Sequence, residues 1–174
     1  MQNPHEHAEV ADRLAIMELS GRYMRGLDRL DADAFRGLFW DDAHLEYGIY
    51  SGGPAEFIAF CLEALKSHGA NQHMLGQIII DFDEAEPDTA FGEVYYQAYH
   101  RTQDDSGSDR DLFISGRYVD RYERRGGRWA IAYRSELVDW TRDDPASDQW
   151  FAGSAMIRGA RKPDDPLYDR AAMR

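Results

Sequence analysis

The stretch GRYVDRYERRGGRWAIAYR, residues 116–134, reads as two strands meeting at Gly126-Gly127. Aromatic and β-branched residues recur on both sides with partial alternation, which suits a pleated, half-buried surface. Working outward, four such runs fill the second half of the chain: Gln72 to Phe82, Thr89 to Arg101, Leu112 to Glu123 and Arg128 to Trp140. Their connectors, EAEPD, QDDSGSD and RRGGR, are turn-rich and suit antiparallel hairpins. The first half has a different period. Val10, Leu14, Met17, Gly21 and Met24 recur at three- and four-residue steps and predict a helix from about Glu9 to Arg25, with these residues as its buried face and Gly26 as its stop. Asp31 or Asp33 caps a second, short helix carrying Phe35, Leu38 and Phe39. A strand near Ala43 to Tyr50 follows. Gly52-Gly53 and Pro54 then start a helix through Phe57, Ile58, Phe60, Cys61 and Leu65. Helices first and long strands after make an α+β pattern.

The chain has 174 residues, which suits one domain over 1–174, with a core of about 9–140 and a polar C-terminal extension over 141–174. That tail is expected on the surface or on a neighbouring subunit. A net charge of −12 with scattered arginines lacks the basic stripe of a nucleic-acid binder. One cysteine, Cys61, rules out an intrachain disulfide and reads as core. No run approaches the ~20 apolar residues that span a membrane, and no signal-peptide pattern opens the chain. A soluble cytoplasmic protein is the simplest reading. His5 and His7 lack the spacing of a metal site. Ten Tyr, eight Phe and four Trp are many for this length and suit a ligand pocket with polar tips.

RYMRGLDRLDADAFRGLFWDDAHLEY, residues 22–47, resembles the opening of the SnoaL-like dehydratases of the nuclear transport factor 2-like superfamily, and residues 116–134 resemble their last hairpin. The resemblance covers about Glu9 to Trp140. It implies a cone-shaped, cystatin-like fold, with a bent sheet wrapped around N-terminal helices and an apolar pocket. It also implies cofactor-free lyases. Their catalytic Asp and His match Asp28, in GLDRLD, and His73, in NQHMLG. An assisting Tyr matches Tyr23, and a pocket Arg, five residues after Trp129, matches Arg134. Tyr47 matches a substrate-contacting Tyr. Relatives assemble as trimers or dimers through the outer sheet face, so a homo-oligomer is expected, with a trimer favoured over a dimer.

These residues suit an elimination. A His with an ordinary pKa near ~6.5 is a neutral base at pH 7. A buried Asp beside it would fix its tautomer and stabilise the imidazolium. Tyr23 and Arg134 would donate to the leaving group or a developing enolate. Water, a hydrogen halide or formaldehyde could leave an aromatic or polycyclic molecule. Simpler roles stay open at each position. Asp28 could cap a turn, His73 could be an ordinary strand residue, and Tyr23 could be core. Arg134 shares a strand face with Glu136, and a cross-strand ion pair is an equal reading. Other functions stay open too: an accessory subunit of a ring-hydroxylating dioxygenase, a small-molecule binding protein, or a proton-shifting isomerase.

Overall fold

A computed structural model describes the backbone of residues 4–174 and the side chains from residue 8 onward, so the His5 and His7 side chains lie outside the described residues. Helix α1 (Pro4–Arg29) leads to a 3-10 turn (Ala32–Phe35), strands β1 (Phe39–Glu46) and β2 (Ser51–Gly52), and helix α2 (Pro54–Lys66). Strands β3 (Ala70–Phe82), β4 (Thr89–Gln103), β5 (Asp109–Arg125) and β6 (Arg128–Pro145) follow. The tail holds a four-residue helix α3 (Gln149–Ala152) and a 3-10 turn (Pro166–Tyr168). One six-stranded sheet has the order β2-β1-β6-β5-β4-β3. All its pairings are antiparallel except β1 with β6. Helix α1 packs across β3 and β6, and α2 packs on β1. The architecture is α+β, a curved sheet closing on its N-terminal helices.

The four long strands stand where the hairpin pattern puts them, with longer ends. On β4, Ala90, Gly92, Val94, Tyr96, Ala98 and His100 are buried while the residues between them are more exposed. On β5, Gly116, Tyr118, Asp120 and Tyr122 do the same. This period of two faces one side of the sheet toward the helices.

Helix α1 departs from expectation at both its stop and its face. It runs through Gly26 to Arg29. Gly26 serves close approach instead, since a Cβ there would stand 2.6 Å from the Phe35 ring. The stop is Leu30, at φ 48. The Asp31 amide donates to Gly26 O at 2.9 Å and the Leu30 amide to Leu27 O at 3.3 Å. That is the Schellman pattern, here with Leu at its left-handed position.

The buried face is Ile16, Leu19, Ser20, Tyr23, Met24, Leu27 and Asp28, whereas Val10, Leu14 and Met17 are exposed. The helix carries two apolar stripes and can turn only one to the sheet. Arg13 donates to Ile80 O at 2.7 Å and Asp12 pairs with Arg124 at 2.8 Å, which fixes the rotation. The second element is the 3-10 turn, capped by Asp31, whose side chain accepts from the Asp33 amide. Phe39 belongs to β1, so the first strand begins and ends earlier than expected.

The tail docks on its own chain. Lys162 Nζ donates to Asp31 Oδ1 at 2.7 Å and Asp33 Oδ2 at 2.8 Å. Tyr168 donates to Asp31 Oδ2 at 2.8 Å, and Arg29 to Ala160 O at 2.8 Å. Burial raises the Asp31 carboxyl, but bonds from Lys162 and Tyr168 outweigh it and hold the group below its usual range. A depressed carboxylate stabilises above its unfolded pKa of about 3.9, and that contribution is lost as pH falls through the lower folded value. The strap therefore holds at neutral pH and loosens in acid below about pH 4. Lys162→Ala should release it at neutral pH, read as faster tryptic cleavage at Arg161. Unchanged cleavage would remove Lys162 as the anchor.

Candidate active site

Asp28 sits in the last turn of α1 and His73 near the start of β3. His73 Nδ1 lies 2.7 Å from Asp28 Oδ1. The His73 backbone amide also donates to Asp28 Oδ1 and Oδ2, both at 3.1 Å. The His73 side chain is 7% exposed and that of Asp28 12%. A carboxylate only accepts, so Nδ1 carries the proton and Nε2 keeps its lone pair. The Asp thus sets the tautomer in which Nε2 can act as a base.

His73 lines a cavity of about 170 Å3 with Tyr23, Tyr47, Tyr118, Phe57, Cys61 and Glu136. Tyr23 and Asp28 are five residues apart on an unbroken helix, about 140° around its axis. Tyr23 accordingly points into the cavity, while Asp28 stands behind His73 and lines grooves on the other side. The Tyr23 and Tyr47 hydroxyls are 2.9 Å apart, so one donates and the other keeps a proton for a ligand. Burial pushes both phenols well up, with the nearby Cys61 thiol adding for Tyr23 and Tyr23 itself adding for Tyr47. Burial also pushes the Cys61 thiol up to about 12, far from a thiolate nucleophile at neutral pH. Tyr47 lies just past β1, and its ring centroid is 4.3 Å from that of Phe57.

Arg134 does not line the cavity. Its guanidinium is fully buried and pairs with Asp120 through Nε at 2.8 Å and Nη2 at 2.7 Å. It stands 4.3 Å from the Tyr118 ring centroid and 4.6 Å from that of Tyr23. The structure thus shows the cross-strand ion pair, with Asp120 as partner. Arg134 instead holds two cavity tyrosines from behind, by cation–π attraction to their faces.

Sequence reasoning missed Asp120, Tyr118 and the cavity position of Glu136. Tyr118 and Asp120 share one strand parity with Tyr122, and Glu136 shares it with Arg134, so alternation could have flagged them. It also missed a polar cluster behind the pair. His68 Nδ1 and His100 Nδ1 are 3.2 Å apart. With its nitrogen turned to both rings, the Asn71 amide reaches His68 at 3.1 Å and His100 at 3.0 Å, and its oxygen accepts from Arg161 of the tail at 3.1 Å. Burial, then the charges of His73 and His68, lower His100 to about 3, so it is neutral at pH 7. Among the described residues no group of three or more His, Cys, Asp or Glu could hold a metal ion. No described helix is long and apolar enough to cross a membrane.

Comparison with known proteins adds a family and a fold. Residues 8–135 match the SnoaL-like domain family. No curated protein matches. Among solved structures, a type 2 hexachlorocyclohexane dehydrochlorinase superposes with a TM-score of 0.71 at 18% identity, covering 88% of this chain and 97% of its own. A candidate scytalone dehydratase from Novosphingobium aromaticivorans gives 0.67 at 19% identity, covering 91% and 97%. A protein of unknown function with a cystatin-like fold from Nostoc punctiforme gives 0.60 at 24% identity, covering 74% and 92%. At these identities the structural likenesses establish the fold.

Proposed function

The chain belongs to the SnoaL-like domain family, and from that premise we propose that it is a cofactor-independent lyase acting on a ring compound through Asp28 and His73. The observation carrying this reading is the 2.7 Å contact between His73 Nδ1 and Asp28, beside a cavity that His73 lines. His73 Nε2 takes a proton from a carbon of the substrate. Asp28 stabilises the imidazolium that forms. The spare hydroxyl proton of the Tyr23 and Tyr47 pair is donated to a developing enolate oxygen. Arg134 keeps the Tyr23 ring in place.

A volume of about 170 Å3 suits one ring, since a cavity of about 150 Å3 accommodates benzene. A polycyclic ligand would extend past the exposed Ile49 and Phe60. Chelator-treated protein should be incubated with hydroxylated and halogenated single-ring compounds and the products weighed by mass spectrometry. Loss of water, hydrogen halide or formaldehyde supports the lyase. A product of unchanged mass would make it an isomerase. Tight binding without turnover, or a co-purifying iron protein, would favour the binding or accessory role.

We further propose a homo-oligomer, with a trimer favoured. Phe91 and Val119 are exposed on the outer sheet face, and Leu137 on β6 joins them. Apolar side chains exposed on neighbouring strands support this reading, since a contiguous apolar patch favours association. Light scattering should report a trimer, and a monomer at all concentrations would sink the proposal.

A further inference from the structure

We propose that Glu136 is the acid that protonates an oxygen leaving group in this cavity, so that the molecule eliminated is water. The inference rests on the lyase reading and adds a residue and a leaving group to it. Glu136 contributes the one carboxyl among the described residues lining the cavity. It extends from β6 opposite Tyr118 of β5, and so approaches the cavity from the sheet, whereas Tyr23 and Cys61 approach from the helices. Among the described residues it belongs to no ion pair. Its neighbour in parity, Arg134, commits Nε and Nη2 to Asp120. A half-buried carboxyl that belongs to no ion pair needs a reason, because burying such a charge is costly.

The cavity supplies that reason. Burial pushes the Glu136 carboxyl above its usual range, and the Tyr96 hydroxyl, the Arg134 charge, His73 and the Tyr118 hydroxyl pull it only part of the way back. The other proton donors at the cavity are far weaker acids. Burial raises the Tyr23 and Tyr47 phenols well above their ordinary value and the Cys61 thiol to about 12. A carboxylic acid is therefore the strongest acid that faces the substrate. A good general acid holds its proton near the working pH and yet releases it in the transition state.

This acid discriminates between leaving groups. Hydroxide is a poor leaving group and needs a proton. Chloride leaves as an anion and gains little from an acid. In the step proposed, His73 Nε2 takes the C–H proton and the C–H electron pair becomes the new π bond. The C–O bond breaks with its electron pair on oxygen, and that oxygen takes the Glu136 proton to leave as water. The imidazolium then returns its proton to the Glu136 carboxylate through solvent.

The test uses 3-hydroxycyclohexanone and 3-chlorocyclohexanone, single-ring probes that give the same enone, with wild type, Glu136→Gln and His73→Asn. Glu136→Gln should lower kcat for the hydroxyl probe by roughly 10²–10³-fold while the chloro probe changes by less than about threefold. The wild-type pH profile for the hydroxyl probe should fall on its alkaline side, and Glu136→Gln should abolish that limb. Glu136→Asp should restore part of the rate. Equal loss on both probes, no loss on either, or a limb that survives in Glu136→Gln would overturn the proposal. If His73→Asn still abolishes both reactions in that case, the lyase reading stands without Glu136. A wild type inert to both probes and to every compound of the wider screen would overturn the lyase reading and this acid with it.

Discussion

Asp28→Asn should lower kcat of the elimination by roughly 10³–10⁴-fold while leaving the protein folded. The carboxylate accepts from His73 Nδ1 and from the His73 backbone amide, using both oxygens. An Asn has one oxygen and an NH2 that only donates. If that oxygen serves the backbone amide, Nδ1 faces a donor and must give up its hydrogen. The imidazole proton then moves to Nε2, the nitrogen that should be the base. If the oxygen serves Nδ1, the tautomer survives but the imidazolium loses its negative partner. Either way the transition state loses more than the ground state, so kcat carries the effect. Steady-state kinetics beside a thermal melt give the test. A kcat within about threefold of wild type would remove Asp28 from the mechanism.

Asp120→Asn should produce the largest loss of stability. Asp120 and Arg134 side chains are both 0% exposed, and the pair makes two short bonds. Tyr122 donates to the same carboxylate, and Arg134 Nη1 has no hydrogen-bond partner. The guanidinium thus depends on one carboxylate and two ring faces. Removing one member of a fully buried pair typically costs about 3–5 kcal/mol, because the other charge is left uncompensated. For a chain of this size that corresponds to a fall in Tm of roughly 6–20 °C. Adding Arg134→Met to Asp120→Asn should recover part of the loss, since it removes the uncompensated buried charge. A single variant melting within about 2 °C of wild type would show that the pair contributes little.

The strands were legible because alternation and turn residues are local signals. Gly126-Gly127 marks a hairpin, and β5 and β6 follow from it. The pairing across that hairpin was not legible. Arg125 faces Arg128 and Tyr122 faces Ile131, but Arg121 faces Tyr133 and Asp120 faces Arg134. Simple counting from the turn would set Asp120 against Tyr133. A bulge at Ala132 shifts the register by one residue, and only that shift brings Asp120 to Arg134. Helix α1 showed a parallel limit. Its helical period was plain, but Val10, Leu14 and Met17 are as periodic as Ile16, Leu19, Tyr23 and Leu27. The choice between the stripes depends on the sheet. Asp28 and His73 are 45 residues apart, and no local pattern brings them together. Their pairing was suggested by family resemblance alone. The tail's anchoring at Asp31 had no periodic signal at all.

The backbone amide of residue 73 holds the Asp28 carboxylate whatever side chain that residue carries. Two of the three bonds to Asp28 are therefore independent of the imidazole. A His73→Gly chain would keep its carboxylate aimed at a ring-sized vacancy that opens onto the cavity. Free imidazole is small enough to enter such a space and has the N–H that Asp28 is oriented to accept. The base of this site could then be supplied from the buffer, and the rate would saturate with imidazole concentration as though the missing side chain were a second substrate.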